Sequence, residues 1–150
     1  MIDVSNVSKK VLVSNVELTI LDRLSLKVET GESLAVIGPS GSGKSTLLGI
    51  MAGLDEPSTG AVSIAGINIT DMSEEGRAGV RTEHVGFVFQ SFHLLQSLTA
   101  LENVSLPLEL KSSSEPQNTA TQYLERVGLE HRMHHYPRQL SGGEQQRVAL

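Results

Sequence analysis

The segment that most constrains this chain is Gly38–Thr46, which reads Gly-Pro-Ser-Gly-Ser-Gly-Lys-Ser-Thr. It fits the pattern Gly-x-x-x-x-Gly-Lys-Ser/Thr, in which glycines let successive backbone N–H groups point into one concavity. The apolar run Ser33–Ile37 before it predicts a strand buried on both faces. A helix is predicted after it, from apolar residues at helical spacing: Leu47, Leu48, Met51 and Leu54. These flanks disfavour a chance glycine-rich turn, and we predict a phosphate-binding loop (P-loop).

Each residue type in the P-loop has a chemical use. A helix that begins at Lys44 would add its positive dipole end and its unpaired N–H groups. The Lys44 ammonium is a point charge suited to the β- and γ-phosphates of a nucleotide, and the Ser45 hydroxyl is a hard oxygen ligand for Mg²⁺. The remaining predicted phosphate-binding residues are Gly38, Pro39, Ser40, Gly41, Ser42, Gly43 and Thr46.

Composition restricts the class of protein. The chain has 150 residues, 39% of them hydrophobic, which suits one globular domain. Its net charge of −5, without blocks of like charge, argues against a nucleic-acid-binding surface. The absence of cysteine excludes disulfides and thiolate metal sites. No run approaches the roughly 18 apolar residues of a membrane span, and the N-terminus lacks the profile of a secretory signal.

Period-two alternation over residues 2–28 predicts an antiparallel pair of strands that leads into the P-loop strand. A short hairpin is expected from Ala61–Ile64 and Ile67–Ile69, joined by Ala65-Gly66. The polar segment Ser73–Arg81 predicts a short, exposed helix. Val85–Gln90 is a second strongly strand-like run.

The remaining helices are predicted from residues that are typical of helix ends. Thr99-Ala-Leu-Glu102 is a capping box that opens a helix, which Pro107 should kink or end. Pro116 at a first helical position opens another helix, closed by Gly128. Ser141 and Glu144 form a further capping box within Leu140–Arg147, which reads Leu-Ser-Gly-Gly-Glu-Gln-Gln-Arg. The glycines of this second motif leave the N-terminal amides bare, so either an anion site or an ordinary capped helix fits it.

Together, Gly38–Thr46 and Leu140–Arg147 resemble the nucleotide-binding subunit of an ABC transporter, whose own signature is Leu-Ser-Gly-Gly-Gln/Glu. The similarity covers all 150 residues. Val85–Leu95 and Leu98–Val104 are most similar to the lipoprotein-releasing and macrolide-exporting group, and within it to the YbbA-like ATP-binding subunits. The implied fold class is α/β, the N-terminal portion of a P-loop NTPase. It would be one incomplete domain, with an antiparallel β subdomain, a partial parallel core sheet and a helical subdomain.

The resemblance also implies boundaries and roles. Residues 1–91 would hold the β subdomain and P-loop core, 92–139 the helical subdomain, and 140–150 the signature motif and the start of its helix. Lys44, Ser45 and Thr46 would hold the phosphates and Mg²⁺ of ATP. Gln90 would touch Mg²⁺ or the attacking water, as the catalytic candidate. Three signature residues would bind the γ-phosphate of ATP on a second copy in a head-to-tail dimer: Ser141, Gly142 and Gly143.

Partners and location follow from the same resemblance. The helical subdomain would dock transmembrane permease subunits, which would hold the protein on the cytoplasmic, inner face of the cell membrane. No nucleic-acid partner is expected. The transported substrate, the direction of transport and the identity of the permease are left open by the residues.

Two departures from the family pattern are expected to matter. No aromatic residue lies near Val11, where the family usually stacks the adenine. The sequence stops at Leu150, inside the signature helix, whereas the family's Walker B Asp and catalytic Glu lie further on. Since phosphoryl transfer needs an oriented water, we expect slow or absent hydrolysis of ATP by this chain alone.

Three functions other than transport compete as explanations of these motifs. A non-transport ABC ATPase usually carries longer insertions between Gln90 and Ser141, and a nucleotide-binding fragment without turnover stays open. A P-loop GTPase is disfavoured because no Asn-Lys-x-Asp motif occurs. The segment His131–His135 holds three histidines, but a solvated loop fits it better than a metal site.

Overall fold

The computed structural model describes residues 1–150. The chain divides into two units, Met1–Gly86 and Phe87–Leu150. The first unit contains strands β1 to β4 and helices α1 and α2, and the second contains helices α3 to α5. No helix is both long and apolar enough to cross a bilayer.

The first unit is built on a four-stranded antiparallel sheet with the order β2-β1-β3-β4. Its strands are β1 Ile2–Val13, β2 Val16–Val28, β3 Thr59–Ile64 and β4 Ile67–Asn68. The register of the long pair runs from Ile2 opposite Val28 to Val13 opposite Val16. Ser14 and Asn15 join these strands with φ of 48° and 65°, the left-handed geometry that a tight hairpin needs. Both predicted antiparallel pairs are confirmed.

Helix α1, Lys44–Met51, packs on the sheet of the first unit. Leu47 and Ile50 of this helix are buried together with Val7 and Val62 from the sheet. Alternate residues of β3 point inward, as the pleat of a half-buried strand requires. The P-loop therefore ends in a helix that is anchored in the core of the unit.

The predicted parallel core sheet is not formed by these residues, and this part of the prediction is wrong. Ser33–Ile37 and Val85–Gln90 belong to no β-ladder, because the single sheet is antiparallel throughout and neither segment meets a strand partner. Val36 and Val85 still pack partly against the core of the first unit, whereas Ile37 is 90% exposed. Apolar sequence predicts burial, but a strand also needs hydrogen-bonding neighbours.

Helix α2 spans Glu74–His84 and is capped by Ser73, whose hydroxyl accepts the N–H of Gly76 at 3.3 Å. A helix was predicted here, but it is amphipathic rather than exposed. Val80 is buried, and the buried Arg77 side chain pairs with Glu74 and Glu56. Ion pairs of this kind allow a charged residue to lie on the inner face of a helix.

The second unit is a helical bundle of α3 Ala100–Leu110, α4 Pro116–Arg126 and α5 Gly142–Ala149, with 3₁₀ turns at Glu130–Arg132 and Pro137–Gln139. Its core consists of Ala100, Leu124, Leu129, Leu140 and Val148. The capping box of Thr99 and Glu102 and the first-turn Pro116 are both observed.

The sequence predicts that Pro107 either kinks or ends helix α3. The helix does not end there but continues to Leu110. A proline inside a helix removes one backbone hydrogen bond, here the one to the carbonyl of Asn103, while its fixed φ stays compatible with helical geometry. Gly128, with φ of 69°, follows the end of α4 as predicted.

Candidate nucleotide-binding site

The P-loop is a run of glycine-dependent turns that leads directly into α1. Gly41 and Gly43 have φ of 80° and 85°, in the left-handed region that favours glycine. Gly43 is the N-cap of the helix and makes no side-chain cap. A Cβ on Gly43 would lie 3.0 Å from the backbone oxygen of Ile20 and 3.1 Å from Leu21 Cδ2. Strand β2 therefore presses directly against the loop and excludes any side chain at this position.

The P-loop presents unpaired backbone donors. The N–H groups of Gly43, Lys44, Ser45 and Thr46 donate to no acceptor in the protein, and the first intrahelical bond runs from the Leu47 N–H to the Gly43 carbonyl at 2.8 Å. No acidic residue lies in the first turn of α1. Unpaired N–H groups at the positive end of a helix, without a competing carboxylate, suit the binding of an anion in this concavity.

The Lys44 side chain folds back over this concavity. Its ammonium donates to the carbonyl oxygens of Gly38 at 2.9 Å and Pro39 at 2.7 Å. Because a lysine ammonium has three donors, one remains for an anion bound in the loop. Ser45 is exposed and Thr46 is half-buried, at the start of the same helix. These positions suit the predicted phosphate and Mg²⁺ contacts, which stay predictions.

The signature turn, Ser141–Glu144, opens helix α5. The Ser141 hydroxyl accepts the Glu144 N–H at 3.3 Å, and the Glu144 carboxylate accepts the Ser141 N–H at 2.7 Å and its hydroxyl at 2.8 Å. The capping box predicted from the sequence is confirmed. The N–H groups of Gly142 and Gly143 donate to no acceptor in the protein, so the turn also presents free amides.

The charge of Glu144 is held in place by three donors. The Ser141 N–H, the Arg132 guanidinium at 2.9 Å and the Ser141 hydroxyl lower the pKa of this carboxyl from 4.5 to about 2. Gln145, the next residue, donates its side-chain amide to the carbonyls of Pro137 at 3.0 Å and Leu140 at 3.1 Å. The start of α5 is therefore fastened to the chain that precedes it.

Gln90, the predicted catalytic residue, is exposed and lies in a turn rather than at the end of a strand. The turn is closed by the Phe92 N–H, which donates to the Phe89 carbonyl at 2.9 Å. Phe87, Phe89 and His93 stack around it, with ring centroids 5.1 Å and 4.4 Å apart. The P-loop residues lie in the first unit, and Gln90 and the signature turn in the second.

The contacts of two arginines could not be predicted from the sequence. Arg132 pairs with Glu144 across twelve residues, and Arg81 donates to the Gly53 carbonyl, just past the end of α1, at 2.6 Å. The sequence spacing of neither pair matches a helical or strand repeat, so no local sequence pattern predicts these contacts. Only the fold brings these partners together.

Residues 21–150 match the family model for the ABC transporter. The chain belongs to the ABC transporter family. The resemblance seen in the sequence is confirmed. This ABC chain is 54% identical to YbbA of Escherichia coli (strain K12), an uncharacterized ABC transporter ATP-binding protein, over 99% of the chain and 66% of that protein. It therefore spans just under two thirds of the length of this relative.

Two further relatives carry more specific names. The ABC chain is 48% identical to the lipoprotein-releasing system ATP-binding protein LolD of Chromohalobacter salexigens, over 89% of the chain and 57% of LolD. It is 43% identical to the macrolide export ATP-binding/permease protein MacB of Bdellovibrio bacteriovorus, over 100% of the chain and 23% of MacB. These names describe those proteins.

A solved structure agrees with the fold of the ABC chain. The dimeric ATP-binding cassette MJ0796, in a post-hydrolysis state bound to ADP and Pi, superposes with a TM-score of 0.91 at 41% identity, over 99% of the chain and 67% of MJ0796. The α/β fold class, with an antiparallel sheet and helices, is confirmed by this match. The domain boundaries and the individual site residues stay predictions.

Proposed function

We propose that this chain binds Mg-ATP through Gly38–Thr46 as part of the ATP-binding subunit of a membrane transporter. The observation that carries the proposal is the P-loop with four unpaired N–H groups and the Lys44 ammonium above them. Backbone donors and one side-chain cation match the charge and shape of a polyphosphate. Membership of the ABC family and the ADP and Pi bound to MJ0796 support ATP as the nucleotide.

Each group of residues would have its own role in binding Mg-ATP. The amides of the P-loop and Lys44 would bind the phosphates, and the hydroxyl of Ser45 would hold the ion. Mg²⁺, when bound, supplies charge neutralisation of the phosphate oxygens. Ser141, Gly142 and Gly143 would meet the γ-phosphate held by a second copy, in a reciprocal two-fold dimer. The dimeric state of MJ0796 supports this pairing.

Transport is proposed as the role of the whole protein. ATP-driven closure of the dimer would be coupled to transmembrane permease subunits at the inner face of the cell membrane. The names of LolD and MacB support an export or lipoprotein-handling system. Hydrolysis of ATP, which membership of the ABC family implies, is proposed for the whole protein.

The decisive experiment is calorimetric titration of Mg-ATP into the chain and into Lys44→Ala. We expect the substitution to weaken binding by about 10- to 100-fold, because it removes a charge-assisted hydrogen bond to phosphate. Lys111→Ala is the matched control: it changes the net charge equally at an exposed position that forms no ion pair. Circular dichroism of each variant would separate lost binding from lost folding. Equal affinity of Lys44→Ala and the unsubstituted chain would refute the proposal.

A further inference from the structure

The signature turn contains a charge that works against anion binding. Glu144 lies in the first turn of α5, one residue from the free N–H group of Gly143 and two from that of Gly142. Its side chain is only 19% exposed, so water screens its charge incompletely. A carboxylate in this position stabilises the helix but repels a phosphate that approaches the same amides. Some other group must offset that repulsion if the turn is to accept an anion.

Arg132 is the group in position to offset it. Its Nε atom donates to Glu144 Oε1 at 2.9 Å, from the 3₁₀ turn Glu130–Arg132, while Oε2 faces Ser141. The two oxygens of the carboxylate thus have different partners, and the side chain is held from both sides. Arg147 is a second cation close by, with Nη1 3.8 Å from the position of a Cβ on Gly143, but it forms no ion pair with Glu144.

The Ser141 hydroxyl makes the arrangement adjustable. The Ser141 O–H donates to the Glu144 carboxylate at 2.8 Å. This hydrogen bond must break before the same O–H can donate to a phosphate. After that exchange Glu144 would keep the Ser141 N–H at 2.7 Å and the Arg132 guanidinium. Without Arg132, the Glu144 carboxylate would keep only the Ser141 N–H as a donor. Its negative charge would then lie uncompensated next to the phosphate.

We propose that Arg132 is a positioning residue of the signature turn: it neutralises and holds Glu144 so that Ser141, Gly142 and Gly143 can receive a phosphate. The inference rests on the proposed contact between this turn and the γ-phosphate. Arg132 acts only through Glu144 and does not itself contact the nucleotide. Its effect must therefore vanish when Glu144 carries no charge.

The test is a charge-rescue series on the ¹⁵N-labelled chain, titrated with inorganic phosphate while the Gly142 and Gly143 amide resonances are followed. Arg132→Ala should weaken the phosphate-induced shifts by about tenfold. Glu144→Gln should bind at least as well as the unsubstituted chain, because glutamine can still accept the Ser141 N–H as a capping-box residue. Arg132→Ala combined with Glu144→Gln should match Glu144→Gln alone. Arg132→Lys should recover part of the loss by restoring the charge.

Controls separate this role from simple stability. Arg138→Ala removes a nearby exposed arginine that stacks over Tyr136 and forms no ion pair, and it should leave the shifts unchanged. A double variant as weak as Arg132→Ala would overturn the inference, and so would an unsubstituted chain whose Gly142 and Gly143 amides do not respond to phosphate. Failure of Mg-ATP binding at the P-loop would show in the Lys44 experiment instead, so the two failures are distinguishable.

Discussion

At the scale of single residues, two glycines of the P-loop serve different purposes although their backbones are alike. Gly41 and Gly43 both have left-handed φ values, of 80° and 85°. A Cβ on Gly41 would meet nothing within 4 Å, whereas a Cβ on Gly43 would meet Ile20 and Leu21 of the neighbouring strand. The first glycine is required by conformation alone, and the second by conformation and by space.

Gly41→Ala and Gly43→Ala test this difference. A left-handed alanine costs about 1–2 kcal/mol, and we expect Gly41→Ala to lose no more than that in free energy of unfolding. Gly43→Ala should lose about 2–4 kcal/mol, because the contacts with backbone and packed side chains add to the strain. Urea unfolding followed by circular dichroism measures both. Equal losses in free energy of unfolding would mean that β2 moves aside at little cost and that the left-handed φ alone accounts for both effects.

At the scale of elements, the start of helix α5 makes a pH-dependent contribution to the stability of the second unit. The pKa of Glu144 falls from 4.5 to about 2 through its bonds to Ser141 and Arg132. A lowered pKa means that the charged form stabilises the fold: the contribution is complete well above pH 4.5 and disappears as the pH falls towards about 2.

Glu144→Gln removes that titration while keeping the cap. We expect the unsubstituted chain to be more stable than Glu144→Gln at pH 6, and the difference to shrink at pH 3, where the unfolded carboxyl is protonated. Chemical unfolding of both chains at the two pH values measures it. Glu102 also has a lowered pKa, through Thr99, but it titrates in both chains and cancels in the comparison. A difference that does not depend on pH would contradict this account.

The elements that the sequence predicted correctly are those specified by near neighbours. The capping boxes Thr99–Glu102 and Ser141–Glu144, the hairpin turn at Ala65-Gly66 and the first-turn Pro116 each need only four or fewer adjacent residues. The strands predicted at 33–37 and 85–90 are not formed, because a strand also depends on partners distant in sequence. The burial of Arg77 required knowledge of Glu56, on another segment. For the same reason the P-loop was evident from the sequence, whereas Arg132 was not.

At the scale of the whole molecule, the chain contains two separate hydrophobic cores. One includes Ile50 and lies in the first unit, and the other includes Leu124 and lies in the second. Ile50 is 0% exposed and Leu124 is 1% exposed. Core side chains this well covered lose about 2–5 kcal/mol on truncation to alanine.

We expect Ile50→Ala and Leu124→Ala to weaken different parts of the chain. Amide hydrogen exchange should quicken within residues 1–86 for Ile50→Ala and within 87–150 for Leu124→Ala. Ile50→Ala should also weaken Mg-ATP binding, because Ile50 anchors α1, whereas Leu124→Ala should leave the P-loop affinity nearly unchanged. Exchange that quickens across all residues in both variants would mean that the two cores unfold as one.

The segment before the P-loop, Ser33–Ile37, can serve as a probe of strand pairing. None of the backbone N–H groups of Ser33–Ile37 donates to an acceptor in the protein, and most of these residues are exposed. Their amide protons should therefore exchange with solvent quickly, and each would be protected once an additional strand came alongside. The exchange rates of these five consecutive amides would therefore report, without any attached label, the pairing of another strand with this segment.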